Sequence, residues 1–267
     1  MRFKRALITG CRGILGSEFC RKLEGRVEFT GFDLPEGDIT DREKTRKTII
    51  DYQPDLVIHC AAYTQVDKAE SEPVVAFRAN ALATRWIAET CREIDAELIY
   101  FSSDYVFYGT PGRNPRTEFD IPAPKGVYAC SKYAGEQEVR INLPDRHFII
   151  RTSWLYGKGG KNFPDTIIRL GKERDMLKVV SDQIGCPTYA PDLARETLRV
   201  ADYGARGTYH ISGNGQCSWY DFAGEILRQA DVDCRVYPVS TEEFGAPAPR
   251  PGYSLLAHLA LRETVGD

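Results

Sequence analysis

Apolar and polar positions along the chain alternate between two rhythms. Short runs that are apolar on both faces, as in strands buried in a parallel sheet, are followed by stretches with apolar residues every three to four positions, as on one helix face. Phe3 to Thr9 is the first run, and Leu15, Phe19 and Leu23 then mark one side of a helix. Val27 to Phe32 reads as a second strand. Thr40-Asp41-Arg42-Glu43 has the spacing of a capping box that opens a helix through Ile50. Leu56 to Ala62 is a third strand and Glu97 to Phe101 a fourth; between them Pro73 to Ile94 is a long helix in which Asn80 reads as a buried polar anchor near the site and Trp86 as helix packing. A polar loop rich in proline and glycine, Gly109 to Gly126, precedes a helix around Tyr128, and Arg146 to Arg151 is another strand. This order predicts an α/β fold with a Rossmann-like, doubly wound parallel sheet.

Beyond Gly157 the rhythm loosens. Helices are expected over Asn162 to Lys172, Pro191 to Asp202 and Ser218 to Leu227, with strands at Leu177 to Val180 and Cys234 to Val239. Gly207 to Ile211 reads as a strand that returns to the main sheet, and a terminal helix starts at about Ser254. With no linker between autonomous domains, residues 1–156 form one half and residues 157–267 a smaller interleaved carboxyl-terminal lobe.

Candidate chemistry sharpens this picture. The first strand runs into Gly10-Cys11-Arg12-Gly13-Ile14-Leu15-Gly16 and then a helix. In that context glycines let the backbone approach a pyrophosphate, and the helix amino terminus supplies N–H donors and partial positive charge. Asp33, at the end of the second strand, is placed to hydrogen-bond an adenosine ribose and repel a 2′-phosphate, which favours NAD. Arg12 pulls the other way, since a guanidinium can pair with such a phosphate, so the preference between NADH and NADPH stays open. Asp38 and Ile39 sit in a loop that borders the adenine, and small Ala61 and Ala62 let a cofactor approach the third strand. Ser102, Ser103 and Asp104 end the fourth strand, where α/β sheets open their ligand crevice. Tyr128 and Lys132 are four apart on a helix and share one face. A neighbouring ammonium is expected to lower the phenol pKa and make Tyr128 a proton donor useful near neutral pH. His59, mid-strand and without ligand partners, reads as a satisfied core histidine.

Composition removes alternatives. Among 267 residues the net charge is −3, which gives no electrostatic reason to expect a nucleic-acid partner. No apolar run approaches the roughly 18 residues that span a bilayer, and Ala6-Leu7-Ile8 is too short for a signal-peptide core of roughly 7–15 residues. The eight cysteines show no C-x-x-C and no histidine at metal spacing, so they read as reduced thiols, mostly in the core, with no metal site. A soluble cytoplasmic protein is expected.

Taken together, these residues resemble the extended short-chain dehydrogenase/reductase superfamily, and within it the dTDP-4-dehydrorhamnose reductase family. The resemblance runs nearly end to end. It includes Gly10 to Gly16, Ala61-Ala62-Tyr63-Thr64-Gln65-Val66-Asp67-Lys68-Ala69-Glu70, Ser103 to Phe107, Tyr128 to Lys132, Arg151 to Trp154 and Arg250-Pro251. It implies a catalytic triad of Ser103, Tyr128 and Lys132. Tyr128 would protonate the C4 keto oxygen of a dTDP-4-keto-6-deoxy sugar as hydride arrives from NADPH or NADH. Lys132 would hold the phenol acidic and bind the nicotinamide ribose, and Ser103 would orient the oxygen. Gly13 to Leu15, Asp33, Asp38, Ile39, Ala62, Tyr63, Thr64 and Ser102 would line the cofactor, while Asp104 and Trp154 would contact the sugar nucleotide. Arg250 is placed on charge grounds as a diphosphate partner. The expected partner is a nucleotide-sugar substrate, and the chain is expected as a monomer or homodimer. The same scaffold also supports a nucleotide-sugar epimerase with tightly held NAD, and a non-catalytic regulatory subunit like that of methionine adenosyltransferase. Relatives usually continue past the equivalent of Asp267, and many carry threonine where this chain has Ser103.

Overall fold

The structure, a computed structural model, describes residues 1–108 and 112–266. The chain begins with β1 (Arg5–Thr9), α1 (Ile14–Leu23), β2 (Glu28–Phe32), α2 (Arg42–Tyr52) and β3 (Leu56–His59). Short helices α3 (Val66–Ala69) and α4 (Pro73–Phe77) lead through a π turn (Arg78–Leu82) into α5 (Ala83–Glu93), followed by β4 (Glu97–Ser103), α6 (Val127–Asn142) and β5 (His147–Thr152). Next come β6 (Leu155–Tyr156), α7 (Phe163–Glu173), β7 (Met176–Val180), β8 (Ile184–Gly185), β9 (Thr188–Tyr189) and α8 (Ala190–Tyr203). The chain ends with β10 (Gly207–His210), β11 (Cys217–Ser218), α9 (Trp219–Gln229), β12 (Arg235–Val239), α10 (Thr241–Phe244) and α11 (Leu259–Val265).

Six parallel strands stand in the order β2-β1-β3-β4-β5-β10. Alternate side chains of these strands feed two separate cores, which is why the runs read as apolar throughout. Leu7, Val57, Leu98 and Ile149 pack with Ile49 of α2, Ile87 of α5 and Val139 of α6. Ile8, Leu56, Ile99 and Ile150 point the other way, onto Leu15 and Phe19 of α1, Leu193 of α8 and, at the edge, Leu261 of α11. The chain leaves β1 for β2 on one side and returns to β3 on the other, so a crevice opens at their carboxyl ends. Residues 207–210 do return to the sheet, pairing with β5 from Gly207↔Phe148 to His210↔Arg151. In the carboxyl-terminal part, β7 and β12 pair in parallel, and Ile167, Leu177, Ala223 and Leu227 form a smaller core.

Several elements differ from the sequence expectation. α2 is capped by Asp41, whose Oδ1 accepts the Lys44 N–H at 3.0 Å, while the Thr40 hydroxyl donates to Asp38 at 2.8 Å; the expected capping box does not form, because the third helical residue after this cap is Lys44, which has no acceptor to return. The helix expected over 73–94 is interrupted at Arg78–Leu82 by a wider turn. The terminal helix starts at Leu259, because residues 250–258 run extended to bridge Arg116 and Ile184. The proline-rich loop begins with residues 109–111, which lie outside the described residues. No disulfide joins the described cysteines; Cys91 and Cys186 are buried, Cys11, Cys20, Cys60 and Cys234 are half-buried against a core, and Cys130 and Cys217 are half-buried elsewhere. His59 is a satisfied core histidine, held between Thr9 Oγ1 at 2.7 Å and Thr84 Oγ1 at 3.1 Å, and burial drives its pKa down to about 3. Among the described residues no helix is long and apolar enough to cross a membrane.

Candidate active site

The turn after β1 is built for close approach. Gly10 has φ +66°, and a Cβ there would lie 2.7 Å from the Ala61 nitrogen. A Cβ on Gly16 would lie 2.1 Å from the Gly10 carbonyl oxygen, so only glycine lets α1 start this near the strand ends. Gly13 caps α1 with extended backbone and no side-chain acceptor, and the first turn carries no acid. Among the described residues the amides of Ile14 and Leu15 have no backbone acceptor, as the opening of a helix dictates, and a bound anion would satisfy them. The cradle fits a dinucleotide diphosphate.

A cleft of about 930 Å³ extends from this turn. It gathers every residue expected to line a cofactor: Gly10, Arg12, Gly13, Ile14, Leu15, Gly16, Asp33, Asp38, Ile39, Ala61, Ala62, Tyr63, Thr64, Ser102, Tyr128 and Lys132. Ser103 and Trp154 open into the same space. Asp33 accepts the backbone N–H of Arg12 at 2.7 Å through Oδ2 and that of Leu34 at 2.8 Å through Oδ1, which fixes the carboxylate beside the glycine turn. The Arg12 guanidinium donates to the Leu34 carbonyl and pairs with Glu36 at 2.8 Å, so the phosphate partner expected from sequence is occupied by a neighbouring acid.

At the other end lie the groups suited to proton transfer. The Ser103 hydroxyl donates to Asp104 Oδ1 at 2.9 Å and accepts the Tyr105 N–H at 3.2 Å. Burial pushes Tyr128 up to about 12, the Asp104 carboxylate adds to this, and the Ser103 hydroxyl acts in the opposite direction. Lys132 is buried, with Nζ 4.3 Å from the centre of the Tyr100 ring, and burial brings its pKa down to about 7 while Glu136 pulls it back up. The sequence argument that Lys132 acidifies Tyr128 is therefore corrected. Both residues open into one cleft as their spacing requires, but desolvation governs both pKa values and keeps the phenol protonated at neutral pH.

Two expected substrate contacts lie elsewhere. Asp104 is 1% exposed and faces Ser103 rather than the cleft. Burial lifts its pKa to about 6, opposed by hydrogen bonds from Ser254 and Ser103. Arg250 lies outside the cleft lining, its guanidinium held by both carboxylate oxygens of Asp67 at 2.9 and 2.7 Å. Trp154 does line the cleft. Its φ is +47°, and its ring stacks on Trp219 at 3.6 Å over Gly185, where a Cβ would come within 2.7 Å of the indole.

With this geometry in view, similarity to known proteins is informative. The family described as "RmlD substrate binding domain" matches residues 4–267. A dTDP-4-dehydrorhamnose reductase of Streptomyces griseus is 41% identical over 259 residues, 94% of this chain and 85% of the relative. The crystal structure of a dTDP-4-dehydrorhamnose reductase from Clostridium acetobutylicum superposes with a TM-score of 0.95 at 44% identity, covering 98% of this chain and 93% of that one. A Bacillus anthracis dTDP-4-dehydrorhamnose reductase in complex with NADP gives a TM-score of 0.93 at 45% identity, covering 97% and 92%. The chain belongs to the dTDP-4-dehydrorhamnose reductase family.

In this reductase-family chain, Asn80 is the buried polar anchor expected from sequence, while the sequence pattern does not single out Glu136 or Lys161. Asn80, in the π turn, accepts the Tyr63 N–H at 2.8 Å and donates to the Tyr63 carbonyl at 3.0 Å and to Ser131 Oγ at 2.9 Å. It thereby clamps the 61–64 wall of the cleft to α6. Glu136, one turn beyond Lys132, holds Arg151 through two hydrogen bonds of 2.9 and 2.7 Å and also pairs with Arg140 at 3.0 Å. Burial alone would raise the Glu136 carboxyl, but Arg151 and Arg140 keep it below its ordinary value. Four-residue spacing along α6 could have linked Glu136 to Lys132; nothing in the sequence links Asn80 to Tyr63. Lys161 also lines the cleft, from the segment where the strand–helix rhythm is lost.

Proposed function

We propose that this chain reduces the C4 keto group of a dTDP-4-keto-6-deoxy sugar, taking dTDP-4-dehydrorhamnose to dTDP-rhamnose or making a close relative, with NADPH or NADH as cofactor. The observation that carries this reading is the opening of Ser103, Tyr128 and Lys132 into the same cleft as the glycine turn. The residues fit the cofactor: glycines 10 and 16 leave room for it, the first amides of α1 face its diphosphate, and Asp33 is fixed where a ribose would lie. When bound, the reduced nicotinamide supplies the hydride. Tyr128 then gives its phenolic proton to the keto oxygen, which leaves a sugar hydroxyl. Ser103, whose hydroxyl hydrogen points to Asp104 in the structure, turns it to the keto oxygen when the sugar binds and so positions that oxygen. Lys132 binds the nicotinamide ribose hydroxyls. Proton donation of this kind is worth about 10²–10⁴-fold in rate.

Residues 1–156 mainly hold the cofactor and residues 157–267 mainly the sugar nucleotide, with Trp154 as a rigid wall where the two meet. We place the protein in the cytoplasm, as a monomer or homodimer, without nucleic-acid or membrane partners. The test is oxidation of NADPH and of NADH with dTDP-4-keto-6-deoxy-L-mannose, followed by absorbance. Turnover of either cofactor supports the proposal. No turnover by protein that binds both cofactor and sugar nucleotide refutes it.

A further inference from the structure

The segment Gly157-Lys158-Gly159-Gly160-Lys161-Asn162 leaves the sheet after β6 and folds back over the glycine turn. A Cβ on Gly160 would lie 2.8 Å from Ile14 Cγ1 and 3.8 Å from the Ile14 amide nitrogen; one on Gly157 would lie 3.2 Å from Ile14 Cγ2. Gly159 has φ +91°, a conformation that favours glycine, and sits beside Ser17. The segment is also held in shape. The Asn162 side-chain amide donates to the Gly157 carbonyl at 2.8 Å and to the Gly160 carbonyl at 3.2 Å. Its Oδ1 accepts the Asp165 N–H at 3.0 Å, which caps α7. A glycine strap anchored by a helix cap thus lies against the residue whose amide opens α1.

Of the three cationic side chains that line the cleft, Arg12 is held by Glu36 and Lys132 is buried at the opposite end. Lys161 is exposed and has no ion pair or hydrogen bond among the described residues. The strap places Lys161 directly after Gly160, which packs against Ile14, and this cationic residue lines the same cleft as the amides of α1 that lack acceptors. Two kinds of anion-binding group therefore open into one cleft from two separate parts of the chain.

We propose that Lys161 is a diphosphate-binding residue, carried by the 157–161 strap across the cofactor's pyrophosphate at the amino terminus of α1. This rests on the cofactor site described above and extends it, since it makes a residue of the carboxyl-terminal part a ligand of the dinucleotide. A charged ammonium–phosphate contact at a partly open site should be worth about tenfold in affinity. The contact is blind to the 2′-phosphate, so Lys161 should support NADH and NADPH equally.

The experiment is calorimetric titration of the full chain and its Lys161→Ala and Lys161→Arg variants with three probes: ADP-ribose, 2′-AMP and dTDP. Lys161→Ala is expected to weaken ADP-ribose about tenfold, with a shallower salt dependence, and to leave 2′-AMP and dTDP within about twofold; Lys161→Arg should recover most of the loss. Unchanged ADP-ribose affinity in Lys161→Ala overturns the assignment. A loss confined to dTDP would make the residue a ligand of the sugar nucleotide, and a loss on 2′-AMP a ligand of the adenosine phosphate; either overturns it as well. If the unaltered chain binds neither ADP-ribose nor NADPH, the cofactor site itself is refuted. Because the side chain is exposed, a thermal melt close to that of the unaltered chain should accompany each variant.

Discussion

Asp104 offers a sharp test, because its burial and its expected role pull apart. A carboxyl with an ordinary pKa near 3.9 is raised here to about 6 by burial. The folded protein therefore holds that proton more tightly than the unfolded chain, and stability falls as pH rises from about 4 to about 6, then stays level. A shift of about two units corresponds to about 3 kcal/mol of destabilisation at pH 8. Asp104→Asn removes this charge, keeps an acceptor for Ser103, and presents an amide toward Ser254. For a chain of this size about 3 kcal/mol is worth roughly 6 °C in melting temperature. The variant is expected to melt several degrees above the unaltered protein at pH 8, with the gap closing toward pH 4.5. The same change removes one of the influences that raise Tyr128, so kcat should respond while KM for the sugar nucleotide stays put. Calorimetric melts across pH and steady-state kinetics read both effects. A melting difference that does not vary with pH, or a lower melting temperature at pH 8, refutes the electrostatic argument. A large rise in KM with unchanged stability would instead return Asp104 to the substrate-contact role.

Other groups in the cleft make separate predictions. Tyr128→Phe removes the proton donor and should lower kcat by about 10²–10³-fold with little change in the Kd of NADPH; undiminished turnover would take Tyr128 out of the mechanism. Glu36→Gln releases Arg12 from its acidic neighbour, so NADPH binding should strengthen roughly threefold while NADH binding is unmoved, as read by fluorescence titration; equal effects would mean that Arg12 does not reach a 2′-phosphate. Glu136→Gln removes a charge that keeps Lys132 protonated. At a spacing of roughly 6 Å and an effective dielectric near 20, the loss is about 3 kcal/mol, which the neighbouring arginines modify. An ammonium is lost as pH rises through its pKa, so the alkaline limb of the kcat/KM profile should move down by about 1–2 pH units, and a stationary limb would refute the coupling. Freeing the buried Arg151 should also cost about 3–5 kcal/mol of stability, visible as a lower melting temperature.

Local spacing made much of the site legible. Glycines at 10, 13 and 16 after an apolar run, and Tyr128 four residues before Lys132, constrain backbone and helix face directly, and the structure brings both into one cleft. The returning strand at residues 207–210 was legible because a short β-rich run must find a sheet edge. The π turn was not. It frees the Asn80 carbonyl to accept Thr84 Oγ1 at 2.9 Å and Tyr100 OH at 3.3 Å, and Tyr100 lies on a strand that periodicity cannot dock against that turn. Nor was the pairing of Arg250 with Asp67, 183 residues apart, since charge alone names no partner.

The misjudged pKa of Tyr128 has a cause that bears on how the site works. Sequence spacing supplies charges at known separations but not the dielectric between them, and so it overstated Lys132 and omitted burial. In the folded chain burial keeps Tyr128 protonated and makes Lys132 easy to discharge, which on spacing alone would leave the pair poorly matched. Glu136 opposes the second effect only because Arg151 and Arg140 hold it ionised in a site that would otherwise protonate it. Arg151 in turn lies 3.4 Å from His210 Nε2, and His210 Nδ1 is occupied by the Arg116 carbonyl at 2.9 Å, so the ring stays neutral and burial holds its pKa near 3. The Lys132 ammonium is thus sustained from beneath by groups on α6, β5 and β10. A buried ion pair is weak evidence for stability. This one is better understood as what keeps Lys132 charged at the floor of the cleft.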